Sequence, residues 1–455
     1  MDIKAEIFRE YDIRGIAGKD LTEEVVELVG KALCVYLRGK KKHNCIAVGR
    51  DGRLTSKAFS RALIDGLTSC GMNVIDIGEV PTGVTYFSLF TLKVDGAIQI
   101  TGSHNPKEYN GLKIAVGNST IHGKEIQKLR VIIEKGVFPK ATKPVTITRL
   151  NLVPKYTKRI TGDIKIRRRL KVVVDAGNGV GGPVGVPLYE QLGCEVIPLY
   201  CDVDGNFPNH HPDPTLPESL KDLVKAVKKH KADLGIAFDG DADRIGAVDN
   251  AGNFIAGDRL LILFARSVLK SVPGTAVIGE VKCSRSLYED IAKHGGKPVM
   301  WKAGHSLIKE AMYKYKAELA GEMSGHIFFK HRWYGFDDAV YAGARLLEIL
   351  ASGKKTLEQH LADVPVTFAT DEIRIETTES RKFAIVAEAT RYFKVELGLD
   401  VNTIDGARIE FADGWGLVRA SNTSPMLVMR CEAATKKRLE EIRKLVGNKI
   451  AELNR

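Results

Sequence analysis

Three aspartates alternate along Asp239-Gly240-Asp241-Ala242-Asp243, with Arg244 behind them. Carboxylates this close repel one another unless a cation sits among them. Hard divalent cations such as Mg²⁺ take oxygen ligands of this kind. An EF-hand calcium loop is excluded, because it needs glycine where Arg244 stands and glutamate where Asn250 stands. A second group is Thr101-Gly102-Ser103-His104-Asn105-Pro106. The residue before a proline avoids the helical region, so Ser103 is held on a fixed loop where its hydroxyl could act as a nucleophile. Alone, such a serine is an ordinary turn residue. Glu322, Ser324 and His326 of GEMSGH could hydrogen-bond sugar hydroxyls. Arg419, Ser421, Asn422 and Thr423 of RASNTSP put a guanidinium beside three hydroxyl or amide groups on one turn. That set suits a phosphate clamp, although an ordinary polar turn has the same composition.

Gly177, Gly179 and Gly182 spell G-x-G-x-x-G directly after the run KVVVD, with Asp202 near the end of the next apolar run. This imitates a dinucleotide site. Pro183 and Pro187 crowd the helix that would follow, so close helix–strand packing accounts for the glycines better. Adjacent His210 and His211 rarely face one ion, and they read as loop structure.

The elements that must position these groups come from one pattern written three times. CIAVGRDGR, LKVVVDAGNG and GTAVIGEVKCS each precede a helical stretch, a closing glycine (Gly71, Gly193, Gly295) and a second apolar run. β-branched runs on both sides of a glycine-closed helix are the signature of βαβ units. Each copy later sends a strand straight into one of the polar loops: VDGAIQI into TGSHNP, ADLGIAF into DGDADR, KAELA into GEMSGH. Ligands of open α/β sheets bind beyond the carboxyl ends of strands, so the three loops should share one cleft. From about Val364 the pattern becomes strand, helix, strands, helix. The expected fold is α/β, with three tandem domains of mainly parallel mixed sheets and a C-terminal α+β domain around a central cleft. The boundaries are 1–150 for the domain that carries Ser103, 151–252 for a metal-binding domain, 253–363 for sugar recognition and 364–455 for phosphate binding.

Composition is that of an ordinary soluble globular protein. The 455 residues are 44% hydrophobic and 27% charged, and no apolar run reaches the length of a membrane span. The N-terminus has no apolar signal segment. Seven cysteines without a C-x-x-C spacing fit a reducing cytoplasm. The net charge of +12 is spread in short runs such as Lys40-Lys41-Lys42, which argues against nucleic acid and leaves cations for a phosphorylated small molecule.

The four loops, in this order, resemble the α-D-phosphohexomutase superfamily, from FREYDIRG at Phe8 to Pro425. FREYDIRG and GEMSGH are similar to the phosphomannomutase/phosphoglucomutase branch; the phosphoglucosamine branch typically has FGTDGIRG and GEQSGH. The resemblance implies that Ser103 carries a phosphoryl group and that Asp239, Asp241 and Asp243 bind one Mg²⁺ together with it. It implies that Arg244 steadies the metal loop. Tyr11, Arg14, His104, Lys113 and His326 would surround the phosphoserine and assist proton transfer. Lys282 and His305 would face the substrate, Glu322 and Ser324 would read hydroxyls, and Arg419, Ser421, Asn422 and Thr423 would grip the distal phosphate. Two departures stand out, since the family more often has TASHNP and DGDGDR. Gly102 is expected to loosen its loop, and Ala242 to restrict the backbone where glycine is usual.

The implied reaction interconverts hexose 1- and 6-phosphates of mannose or glucose through a 1,6-bisphosphate, which is intermediate and activator. The partners are small phosphosugars, with no nucleic acid or membrane, and the enzyme is a monomer or small homo-oligomer. Glucosamine phosphate should fare poorly, because its ammonium would enter a pocket lined by Arg14, Lys113 and Lys282. Phosphoglucosamine mutase, a nicotinamide dehydrogenase, an aspartyl-phosphate mutase phosphorylated on Asp239, and a non-catalytic sugar-phosphate sensor are the competing readings.

Overall fold

The runs Cys45–Arg50, Lys171–Asp175 and Ala276–Glu280 are almost wholly buried in the computed structural model, as strands covered by helices on both faces must be. Residues 3–40, 42–421 and 424–455 are described. The first sheet orders Ile13–Ile16, Tyr109–Val116, Gly96–Ile100, Cys45–Arg50, Asn73–Glu79 and Ile147–Arg149. The second orders Phe254–Ile255, Ile245–Asp249, Leu234–Phe238, Lys171–Asp175 and Glu195–Leu199, and the third Lys297–Trp301, Ala276–Glu280, Leu319–Gly321 and Ile327–Phe329. The glycines that close the repeat helices, Gly71, Gly193 and Gly295, all have positive φ, the conformation a helix C-terminus favours.

One topological feature is common to all three sheets. Gly96–Ile100, Leu234–Phe238 and Leu319–Gly321 each pair in parallel with a neighbour on one side and antiparallel with the returning strand on the other. The polar loops are the turns of these hairpins, placed where parallel pairing gives way to antiparallel. In the C-terminal domain the loop after Arg419 likewise joins two antiparallel strands, Gly414–Ala420 and Met426–Ala433. That sheet is antiparallel throughout and packs against the helices Lys382–Arg391 and Lys436–Leu453.

The cores explain how the loops are brought together. A single apolar cluster runs through the first three domains, joining Val84 and Phe87 to Tyr156 and Leu188 and on to Phe264 and Leu346. The outer half of the first domain has its own core around Val29, Leu63 and Leu129. The C-terminal domain has a separate core around Phe393, Ile409 and Val446, and touches the rest through a small cluster of Val281, Trp415 and Leu417.

Candidate active site

Ser103 sits just beyond the strand Gly96–Ile100, with φ of 50°, in the left-handed region. A non-glycine residue held there is uncommon and needs its surroundings to hold it. Its N–H donates to Thr101 Oγ1 at 2.7 Å, and its Oγ lies 2.9 Å from Asp239 Oδ2 and 3.1 Å from His104 Nδ1. The loop is anchored by Arg53. This buried guanidinium donates to the carbonyls of Ser103, Asn105, Pro106 and Tyr109 at 2.6–2.9 Å, and lies beside Asp51. A Cβ built on Gly102 would come within 2.4 Å of that guanidinium. Gly102 therefore does not loosen the loop; it leaves the space that Arg53 fills to tighten it.

The aspartate loop is packed against this turn. A Cβ on Gly240 would meet the carbonyl of Ser103 at 2.7 Å. Asp239 Oδ1 accepts from the N–H groups of Asp243 and Arg244 at 3.1 Å, which folds the loop back on itself. Ala242 takes φ of 53° with its side chain buried. The strain expected of a residue replacing glycine is thus present, on the order of 1 kcal/mol. Gly179 abuts Gly240 and Gly182 abuts the backbone of Cys201, so those glycines serve packing beneath the loop.

Asp239, Asp241 and Asp243 are fully buried, and one carboxylate oxygen from each falls within 4.8 Å of the others. Lys113, from the returning strand, contacts Asp243 and lies 2.7 Å from Asp241 Oδ2. Thr82 Oγ1 donates to the same Asp241 oxygen at 2.6 Å. Burial, then the charges of Asp243 and Asp241, push Asp239 well above the usual carboxylate range. Lys113 pairs with two of the three carboxylates, and Oδ1 of Asp241 has no hydrogen-bond partner. Three buried carboxylates so close, with an oxygen left over, fit a divalent cation.

His326 closes the site from the third domain. Its Nε2 is 3.3 Å from Asp243 Oδ1 and its Nδ1 2.9 Å from Glu322 Oε2. Burial works against the charged ring, but Asp243 and Glu322 outweigh it and hold its pKa at about 9. Arg244 Nε lies 3.3 Å from the same Nε2, and the Arg244 and His326 backbones form an antiparallel bridge. The two carboxylates favour the protonated ring, so we read the Arg244 approach as a contact rather than a donated bond. His104 is opposite in character. Burial and the charges of Arg244, Arg14 and His326 keep it well below the ordinary imidazole value, hence neutral.

Of the remaining predicted residues, Arg14, Glu322 and Ser324 contact this centre, and the others lie farther out. Arg14 Nη1 donates to the Gly102 carbonyl at 3.4 Å, and Tyr11 donates to the Ala303 carbonyl at 2.7 Å with its ring 6.1 Å from His305. Glu322 Oε1 accepts from Gly304 N at 2.6 Å, and Ser324 Oγ is 3.0 Å from His326 Nδ1, so both are tied to the histidine side of the cleft. Lys282 pairs with Glu372 at 2.6 Å and lies 3.5 Å from Glu280. Arg419 pairs with Asp405 at 2.9 Å, whose carboxylate also accepts from Ala303 N at 3.0 Å. Ser421 Oγ is 2.9 Å from Ser424 Oγ. Asn422 and Thr423 lie outside the described residues.

Sequence reading missed three supports. Arg53 follows the first repeat's strand, in a position where the other repeats show no arginine. Lys382, almost fully buried, donates to the carbonyls of Ser421 and Ser424 at 2.7 and 3.3 Å, from a helix with no polar motif. Asp337 pairs with Lys309 at 2.7 Å and lies 3.7 Å from His305. Among the described residues, Asp243, His326 and Asp337 form a second group able to converge on one cation.

Sequence comparison covers nearly the whole chain. Residues 5–140, 154–252 and 256–368 match the family models for phosphoglucomutase/phosphomannomutase alpha/beta/alpha domains I, II and III, and residues 372–448 match the C-terminal domain of the same family. The chain is 49% identical over 450 residues to a phosphomannomutase/phosphoglucomutase of Pseudomonas aeruginosa, covering 98% of this chain and 96% of the relative. It is 47% identical to a phosphoglucomutase of Neisseria meningitidis, covering 97% and 96%. The crystal structure of a phosphoglucomutase/phosphomannomutase family protein from Burkholderia thailandensis superposes with a TM-score of 0.93 at 42% identity, over 99% of this chain and 98% of that one. With three hairpin loops meeting at one buried cluster and all four family domains matched in order, the chain belongs to the phosphoglucomutase/phosphomannomutase family.

Proposed function

We propose that this enzyme interconverts hexose 1-phosphate and hexose 6-phosphate, of mannose or glucose, by way of a phosphoserine at Ser103 and a hexose 1,6-bisphosphate. The observation that carries this reading is the placement of Ser103 Oγ, 2.9 Å from Asp239 within a buried three-carboxylate cluster that has an unpartnered oxygen. Asp239, Asp241, Asp243 and the phosphorylated Ser103 would hold Mg²⁺, which when bound neutralises charge on the phosphoryl oxygens. Phosphoryl transfer depends mainly on such positioning and neutralisation. The side chains complete the arrangement. Arg53 fixes the Ser103 turn through its carbonyls, and Arg14 adds positive charge beside it. Neutral His104 can receive a proton from a hydroxyl. Protonated His326, held by Glu322 and Asp243, can supply one. Arg419 with Ser421 grips the phosphate that is not reacting, and Glu322 and Ser324 face the sugar. The cytoplasm remains the expected compartment; among the described residues no helix is long and apolar enough to cross a membrane.

One premise of the sugar preference is revised by the geometry. Lys282 lies between Glu280 and Glu372, and Lys113 between Asp241 and Asp243, so neither presents a free positive charge to a glucosamine ammonium. Acceptance of both mannose and glucose rests instead on readers that do not touch carbon 2, and on names such as phosphomannomutase/phosphoglucomutase among the relatives. Ser103→Ala tests the core claim. Turnover should fall by on the order of 10⁴ or more, as expected when a reacting group is deleted. Wild type should carry one phosphoryl group by intact mass, absent from the variant. Near-normal turnover of the variant with bisphosphate excluded, or phosphate on Asp239, overturns the proposal. Comparing kcat/KM for mannose, glucose and glucosamine 1-phosphates settles the sugar, and a preference for glucosamine would move the chain to the neighbouring branch.

A further inference from the structure

An open groove of about 840 Å³ lies between the second and third domains, and shares no residue with the site described above. Asp163, Lys165 and Arg167 form one wall, and the ends of the helices Gly257–Ser271 and Ala339–Ala351 form the other. The helix Ala339–Ala351 begins beside Asp338, next to the catalytic cluster, and ends at the groove. At 1.5 Å per residue its 13 residues separate the two sites by roughly 20 Å.

The charges in the groove are unbalanced in a specific way. Its three carboxylates are already taken: Asp163 and Glu348 pair with Arg332 at 3.0 and 2.9 Å, and Asp363 pairs with Arg266 at 2.8 Å. Four cations are then left over, because Lys165, Arg167, Lys270 and Lys355 have no ion pair among the described residues. Two come from each side of the groove. His360 is a lining residue whose Nε2 has no hydrogen-bond partner. Burial, then the charges of Lys355, Lys270 and Arg266, hold it below the ordinary imidazole value, so the ring itself adds no repulsion at neutral pH. Ser267 and Ser352 add hydroxyls on the same wall.

We propose that this groove binds a small diphosphate-bearing ligand, either inorganic pyrophosphate or the diphosphate of a nucleotide, bridging Lys165 and Arg167 of the second domain to Lys270 and Lys355 of the third. Lone cations on facing walls match an anion carrying several charged oxygens, which each can contact with a charge-assisted hydrogen bond. The volume lies in the range of small-molecule sites and admits a nucleoside diphosphate. An acidic protein surface would fit less well, since the cations sit within a concavity.

Calorimetric titration of the full chain tests this, in metal-free buffer with hexose 1-phosphate saturating the catalytic cleft. ADP and pyrophosphate are titrated separately into wild type and a Lys270→Ala/Lys355→Ala variant. Wild type should bind one diphosphate per chain despite the occupied cleft. The variant should bind about a hundredfold more weakly, at roughly tenfold per lost charged contact, while its mutase rate without diphosphate stays unchanged. Tighter binding of ADP identifies the nucleotide as the ligand, and equal binding identifies the diphosphate alone. No binding once the cleft is saturated, or equal binding by both proteins, overturns the proposal and leaves the cations as partners of the helix C-termini. So does an oligonucleotide that binds more tightly with length and loses that binding in the variant, because the groove would then be part of a nucleic-acid surface.

Discussion

Where the first three domains meet, the seam is aromatic. Trp333 stacks on Tyr341 with ring centres 4.2 Å apart and on Phe87 at 5.8 Å, and Tyr156 meets it edge-on at 5.8 Å. Where the fourth domain meets the third, arginines frame a small apolar contact of Val281, Trp415 and Leu417. Arg408 lies over Trp415 at 3.9 Å and donates to the carbonyls of Val281 and Cys283. Arg285 reaches Glu410 and the carbonyls of Phe411 and Gly414, and Arg430 reaches the carbonyl of Lys282. The groups assigned to chemistry lie astride the aromatic seam: Ser103 with Asp239, Lys113 with Asp241 and Arg244 with His326. Groups assigned to phosphate grip and to the substrate lie on the arginine seam: Arg419 with Asp405 beside Ala303, and Lys282 with Glu372. Stripping apolar rings apart exposes area that water cannot compensate, at about 25 cal/mol per Å². A guanidinium hydrogen bond to a carbonyl exchanges with one to water at a net cost of about 1.5–3 kcal/mol. We infer that the first seam holds the groups assigned to chemistry, while the second would shift to admit the proposed bisphosphate in either orientation.

The sharpest way to break this contrast is to weaken one ring. Trp333→Ala should destabilise the protein by about 3–5 kcal/mol in denaturant titration, the usual cost of deleting a buried aromatic. Arg285→Ala, on the other seam, should cost about 1–2 kcal/mol, and should alter KM more than kcat. Equal losses would mean the two seams do not differ in kind. A divalent metal should strengthen the aromatic side alone. Saturating Mg²⁺ at about 100 times its Kd should add roughly 2.7 kcal/mol of stability to the wild type. An Asp241→Asn/Asp243→Asn variant should gain much less; the same gain in it would remove these aspartates from the metal site.

The grip side is tested by Arg419→Ala. Losing a charge-assisted phosphate contact costs about 1.5–3 kcal/mol, so KM should rise about ten- to hundredfold for 1-phosphates and 6-phosphates alike. Impairment for one position only would show that the clamp is not shared between orientations.

What the sequence made legible divides along similar lines. The nucleophile loop, the aspartates and His326 were readable because each is several polar residues on one hairpin turn, and the repeat placed those turns at equivalent strand ends. Arg53 and Lys382 were not, because each is a single cation whose partners are backbone carbonyls of distant residues. Backbone acceptors leave no trace in side-chain patterns. Gly102 was misread for the same reason: its lack of a Cβ looks like freedom until the guanidinium that occupies the space is seen. The aromatic seam was equally hidden, since Phe87, Tyr156 and Trp333 are far apart in sequence and each alone reads as ordinary core.

His331 gives the aromatic seam a polar edge that should respond to acid. His331 sits next to Arg332, with Nδ1 3.3 Å from Arg345 Nη2 and its carbonyl accepting from Arg345 Nη1 at 3.1 Å. Burial, then the charges of Arg345 and Arg332, lower its pKa to about 4. In the unfolded chain it returns to about 6.5. Below 6.5 the unfolded state binds a proton that the folded state refuses, so stability falls as pH drops from about 6.5 through 4. The full shift corresponds to about 3 kcal/mol, and partial exposure of the ring reduces the expected loss to about 1–2 kcal/mol. His331→Gln keeps an acceptor for Arg345 but cannot titrate. Carboxylates elsewhere change stability over the same range in both proteins, so the informative quantity is the difference between the two curves. The variant should lose less stability than the wild type between pH 6.5 and 4, by that 1–2 kcal/mol, and the curves should run parallel above pH 7. Parallel curves throughout would show that the Arg345–His331 contact carries no proton linkage.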